Sequence, residues 1–235
     1  MAAPALLALL LAAGARAEPD YAALVAQTTA AYTVTAVVGP LETPLAPEWA
    51  GFLLDHLDLT SALVRARGLG PYEIAAAGPG RFAADDHDGT KALVTLVRSL
   101  PGSRLYYAEG THAMKVFPKV RVAAAVFLEQ RPVDAPGCPG HVRTTFTVYA
   151  RLRSRLLSAM VKALRPLLRD AIVRKLSRAF LVAHKLGVLL AQDPGPVAKD
   201  ILASPLLSPA GRGAAAKLIL PLRPQPPACL ALGKP

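Results

Sequence analysis

The sequence predicts an α+β domain: one strand and short helices, then six antiparallel strands, then a long C-terminal helix. Three observations carry that expectation. Between Tyr72 and Leu152, short β-prone runs alternate with turn residues. The links between these runs are of hairpin length, too short for the crossovers that parallel strands need. From about Arg153 to Gln192 the apolar period lengthens from two residues to three or four.

The elements follow in order. Residues 20–31 are Ala-rich and suit a short helix. Thr33 to Val38 is β-branched and strand-like, and Gly39-Pro40 ends it. Pro47 fits a first helical position, with Glu48 after it. Trp49, Phe52, Leu53, Leu57, Leu59, Leu63 and Val64 then give an apolar face to one or two short helices, closed by Gly68 and Gly70-Pro71.

The six strands are Tyr72 to Ala77, Arg81 to Ala84, Lys91 to Arg98, Arg104 to His112, Val120 to Gln130, and His141 to Leu152. Two of them alternate clearly. Val142, Thr144, Phe146 and Val148 oppose Arg143, Thr145, Thr147 and Tyr149, while Val120, Val122, Ala124, Val126 and Leu128 oppose Arg121 and Glu129. One face of the sheet is therefore expected to be covered. The cover is the helix carrying Leu157, Val161, Leu164, Leu168, Ile172, Leu176, Phe180, Ala183, Leu186 and Leu190. Unbroken, it would span ~60 Å at 1.5 Å per residue, with Pro166 predicted to kink it or start a new helix. Asp193-Pro194-Gly195-Pro196 stops it, and beyond a short helix at 195–203 little order is expected.

The N-terminus has the look of an export signal. Ala5 to Ala13 is an apolar run leading into Gly14-Ala15-Arg16-Ala17, a small-residue cleavage pattern, although no Lys or Arg precedes the run. It is shorter than the roughly 20 residues of a membrane span. The expectation is cleavage near Ala17 and a periplasmic or secreted product. The chain has a formal net charge of +11, and removal of Arg16 lowers it to +10. Such a surface favours anionic partners, among which export makes nucleic acid the least natural. A coding bias toward Arg is the plainer account of part of that charge. Cys138 and Cys229 are the only cysteines, and export permits a disulfide without requiring one.

The order of strand, short helices, six antiparallel strands and long C-terminal helix resembles the helix-grip arrangement of the START-like superfamily. That superfamily includes lipid-transfer domains, plant hydrophobic-ligand carriers and polyketide cyclases. The likeness covers residues 33–192 and lies in element order and length, with Pro166 and the C-terminal extension as departures. It implies a curved sheet of about seven strands gripping the long helix, with a hydrophobic cavity between them. A signal peptide at 1–17, a START-like domain at 18–203 and a Pro/Ala-rich tail at 204–235 make up the expected organisation.

On that reading the cavity candidates are Val122, Ala124, Val126, Phe146 and Val148 on the strands, with Leu164, Leu168, Ile172, Leu176 and Phe180 on the helix. Ala123, Ala124, Ala125, Ala159, Ala163 and Ala171 leave two alternatives open, a hollow that a lipid tail fills or close helix–sheet packing. Ten basic residues against one acid between 151 and 192 make Arg165, Arg169, Arg174, Lys175 and Arg178 candidates for an anionic membrane surface. The solvated face of a core helix is the alternative.

No motif identifies a catalytic site, a metal or a cofactor. Asp85-Asp86-His87-Asp88-Gly89 lacks the spacing of a calcium loop, and its Asp-Gly signals a hairpin turn. The serines lack a nucleophile-elbow context. His56, between Asp55 and Asp58, is the one conceivable general base for a cyclase- or hydrolase-like activity. The leading expectation is a non-catalytic exported protein for a hydrophobic or amphipathic ligand. An enzyme using His56 and an interaction protein with a filled core are its rivals.

Overall fold

The computed structural model describes residues 19–113, 119–135, 138–153 and 155–230, with the backbone alone at 135, 139, 155–168 and 171. Residues 1–17, where an export signal and its cleavage are expected, lie outside the described residues. Helix α1 (Tyr21–Ala30) precedes strand β1 (Val34–Thr43), and helices α2 (Pro47–Asp55) and α3 (Leu57–Ala66) follow it. Strands β2 (Glu73–Gly78), β3 (Arg81–Asp85), β4 (Thr90–Leu100), β5 (Ser103–His112), β6 (Val120–Ala135) and β7 (Cys138–Leu152) come next. Helices α4 (Arg155–Gln192), α5 (Pro194–Ala203), α6 (Pro209–Ile219) and α7 (Pro227–Leu230) complete the chain.

The strands form one open antiparallel sheet of seven in the order β1-β7-β6-β5-β4-β3-β2. Each strand from β2 to β6 pairs with its successor, as the short links dictate. β1 returns to the far edge and pairs with β7. Register fixes which side chains share a face, because alternate residues point to opposite sides. Val38 pairs with Phe146, Phe146 with Leu128, and Leu128 with Arg104, so these four form one row on the inner face. Thr144 and Gln130 pair one row along on the same face.

The outer face is covered in part as well, where the sequence predicts only one covered side. Helix α1, capped where the Asp20 carboxylate accepts from the Ala23 amide, lays Val25 onto Leu105, Tyr107, Ala123 and Ala125. Ala123 and Ala125 are 3% and 0% exposed. Their small side chains serve close packing on this outer side, and alternation leaves Ala124 alone of the three to the inner face.

The main core does not lie at the centre of the sheet. It gathers Trp49, Phe52, Leu53, Leu59, Leu63 and Val64 of α2 and α3 with Val142 of β7, Leu186 and Leu190 of α4, Ile201 of α5 and Ala215 of α6. Helix α4 runs through Pro166 as one helix, so of the two outcomes expected at that proline, a kink or a new helix, the new helix does not occur. Its C-terminal part comes close to β1 at Gly187, where an added Cβ would stand 2.3 Å from Thr43 Cγ2. Among the described residues no helix is long and apolar enough to cross a membrane.

Residues 204–230, expected to carry little order, pack against the domain through α6 and α7. Ser208 caps α6, its hydroxyl accepting from the Gly211 amide, and Leu207 and Ala215 are buried. The indole Nε1 of Trp49 donates to the Leu218 carbonyl at 3.0 Å. Cys138 and Cys229 form a disulfide that ties α7 to the start of β7.

Candidate functional site

An apolar cavity of about 230 Å³ lies between α2, α3, the C-terminal part of α4 and the adjoining end of the sheet. Each wall follows from local sequence. Pro47 starts α2 and its apolar positions put Ala50, Leu53 and Leu54 on the cavity side. Helix α3 contributes Leu57, Thr60, Ser61 and Val64, the strands contribute Thr144 and Phe146, and α4 contributes Phe180, Ala183 and His184. Phe146 and Phe180 meet edge to face, ring centres 4.6 Å apart, and so join sheet to helix.

One ion pair, its Arg104 side buried and its Asp55 side 30% exposed, sets the position of α2. Arg104 is 7% exposed and points from the inner face of β5 to Asp55, the last residue of α2. Nε and Nη2 donate to the two Asp55 oxygens at 3.0 Å each, and Nη1 donates to the Leu100 carbonyl at 2.7 Å. Gly51 makes room, since a Cβ there would stand 2.6 Å from Arg104 Nη2. The Tyr106 hydroxyl donates to the Leu54 carbonyl beside it. Burial, with the Asp55 charge adding to it, pushes that phenol far above its usual range.

Among the described residues no charged side chain lines the cavity. Its polar groups are mostly committed elsewhere. Thr60 donates to the Leu53 and His56 carbonyls. Ser61 donates to the Tyr72 carbonyl and accepts from the Ile74 amide. His184 Nδ1 lies 2.8 Å from the Glu42 carbonyl, so it carries the proton and leaves Nε2 as an acceptor. Burial lowers the His184 pKa against the smaller effect of that bond, which keeps the ring neutral at neutral pH. The exception is Gln130, 7% exposed, whose Oε1 has no hydrogen-bond partner.

No family model and no curated protein matches the chain.

Of the ten cavity candidates, Phe146 and Phe180 line this space. Val122, Ala124, Val126, Ile172 and Leu176 do not; they stay half-buried, and Val148 is buried. The cavity lies nearer the end of the sheet that faces α2 and α3, because those helices provide the bulk that closes it. The side chains of Leu164 and Leu168 lie outside those described. Gln130, His184 and the α2–α3 wall were not among the predicted residues. Gln130 carried a signal: it is the polar residue at the inward parity of Val122, Ala124, Val126 and Leu128.

The basic candidates divide. Arg174 and Arg178 are exposed. Arg169 is exposed too, beside a more open hollow of about 490 Å³ along the β1 edge whose other walls are residues 32–37. None of the three joins an ion pair among the described residues. Arg165 lies outside the described side chains. Lys175 is engaged internally: Nζ stands 2.8 Å from Asp86 Oδ2 and 3.1 Å from Asp88 Oδ2, and donates to the Asp88 carbonyl at 2.9 Å. The acidic segment is the turn its Asp-Gly predicts, joining β3 to β4, and it clamps α4 to that hairpin. Among the described residues no group of His, Cys, Asp and Glu could hold a metal ion. His56 is not in the cavity lining; its Nδ1 bonds to the Phe52 carbonyl and its ring stacks on Phe52.

The clamp predicts an acid-sensitive contact. Burial raises the Asp86 carboxyl, but hydrogen bonds from Lys175 and Thr90 outweigh it and bring the pKa down to about 2. A depressed carboxyl stabilises the fold above its unfolded value of 3.8 and loses that contribution as pH falls toward about 2. Lys175→Met is expected to remove ~1–2 kcal/mol at pH 6, after allowance for solvent screening, and much less at pH 2.5. Urea unfolding of both proteins at the two pH values checks it; an equal loss at both would contradict the clamp.

Proposed function

We propose that the chain is an exported, non-catalytic carrier of a hydrophobic or amphipathic ligand, a lipid, held between the inner face of the sheet and the C-terminal helix. In this reading the domain is a START-like helix grip. The apolar, uncharged cavity is the observation that carries it. Its volume of about 230 Å³ suits one acyl segment or ring, since an apolar cavity of ~150 Å³ already admits benzene. Each buried methylene would contribute ~0.8 kcal/mol. The half-buried apolar strip of Val122, Ala124, Val126, Ile172 and Leu176 is where a longer chain would extend.

Export is supported by the leader pattern and by the Cys138–Cys229 disulfide, which suits an oxidising compartment. Exposed Arg169, Arg174 and Arg178 would meet an anionic membrane surface, at ~1 kcal/mol per basic group. The cavity speaks against a filled core, and the engagement of His56 with Phe52 favours a structural role for that ring.

Extraction of purified protein followed by mass spectrometry is expected to yield a lipid, and the emptied protein to take up a fluorescent fatty acid. Absence of both would overturn the carrier reading.

A further inference from the structure

Building on the carrier reading, we infer that the Gln130 end of the cavity receives an uncharged polar head on the ligand that can both donate and accept a hydrogen bond, a hydroxyl or an undissociated carboxyl group. The Gln130 amide is the free polar group, since among the described residues no hydrogen bond engages either its oxygen or its nitrogen. Gln130 Oε1 is buried with no partner, in a residue 7% exposed that lines the cavity. An unsatisfied buried carbonyl is costly, and native structures seldom keep one without a use. An amide offers an acceptor oxygen and N–H donors, so its natural partner is a group that can do both, as a hydroxyl or an undissociated carboxyl can.

The neighbouring groups agree with that assignment. Thr144 pairs with Gln130 across β6 and β7, lines the same space and adds a hydroxyl beside the amide. His184, its Nδ1 proton committed to Glu42, brings a second acceptor nitrogen. Among the described residues no Lys or Arg lines the wall, so an ionised carboxylate or phosphate would find no countercharge there and would enter at a large desolvation cost. The cations of this region are engaged or outside: Arg104 is paired with Asp55, Lys175 faces the β3–β4 turn and Arg178 is exposed. A charged head would remain at that outer surface, whereas an uncharged one can travel inward with the chain.

The test uses three six-carbon probes, hexane, hexanol and hexanoate at pH 8, titrated calorimetrically into the delipidated full chain. Hexanol is expected to bind about tenfold tighter than hexane, the value of one well-made buried hydrogen bond, and hexanoate more weakly than hexanol. Repeating the hexanol titration with hexanoic acid at pH 4 separates an alcohol from an undissociated acid as the source of the donor. Gln130→Met, close in volume, should bring hexanol down to the affinity of hexane.

Equal binding of hexanol and hexane, tightest binding of hexanoate, or a hexanol preference that survives Gln130→Met would each overturn the inference while leaving the carrier reading intact. Binding of none of the probes would overturn both. The wild-type ranking needs no variant, so a Gln130→Met protein that failed to fold would leave the test standing.

Discussion

Arg104→Met is expected to cost about 2 kcal/mol of stability, because the buried guanidinium takes its charge-assisted hydrogen bonds with it, while Asp55, 30% exposed, regains contact with water. The guanidinium holds both Asp55 oxygens and the Leu100 carbonyl, and it does so 7% exposed. Without it, Asp55 keeps only the hydroxyl of Ser99, which donates at 3.0 Å. The double variant Arg104→Met/Asp55→Leu should regain most of the loss, since apolar groups of similar volume often replace a buried pair without penalty. Urea unfolding of the two single variants and the double gives the coupling directly. Additive losses would show that the pair does not act as a unit. The variant should also weaken ligand uptake, because α2, which the pair holds, supplies Ala50, Leu53 and Leu54 to the cavity wall.

The second large effect concerns the disulfide. Cys138 and Cys229 stand 91 positions apart, and a cross-link closing a loop of that order restricts the unfolded chain by ~4 kcal/mol in the entropy model. Cys229→Ser is expected to lose roughly 3 kcal/mol, somewhat less than the model, because native strain and residual structure intervene. The loss should be visible locally as well. Trp49, the only tryptophan, is 1% exposed, and its indole donates to Leu218 in α6. Loosening of the segment from α6 to α7 should therefore red-shift its emission under mild denaturant before global unfolding. Coincident transitions by fluorescence and far-UV circular dichroism, with no loss of stability, would show that the bridge contributes little.

These two contacts also mark the limit of what local pattern can convey. Arg104 reads in the sequence as one more charged residue at a strand start, and nothing near it names Asp55, 49 positions earlier. Lys175 reads as part of a basic helix face. Only the packing of α4 against the β3–β4 hairpin reveals that Asp86 and Asp88 are its partners. The alanines were ambiguous for the same reason. Ala123 and Ala125 are small because α1 lies against them, on a face that the alternation of β6 alone left to solvent.

What the sequence by itself determined is the α+β class, the number and antiparallel order of the strands, the two short helices after β1 and the long helix near the C-terminus. These depend on hydrophobic period, turn residues and link length, which act within one element or between neighbours in the chain. Only the tertiary structure decided where the cavity lies, which cysteines and charges pair, that α1 covers the outer face and that α6 and α7 pack rather than trail. A period tells which side of an element is apolar. It does not tell which distant element will cover that side, because the free energy of burial depends on area removed from water and carries no address.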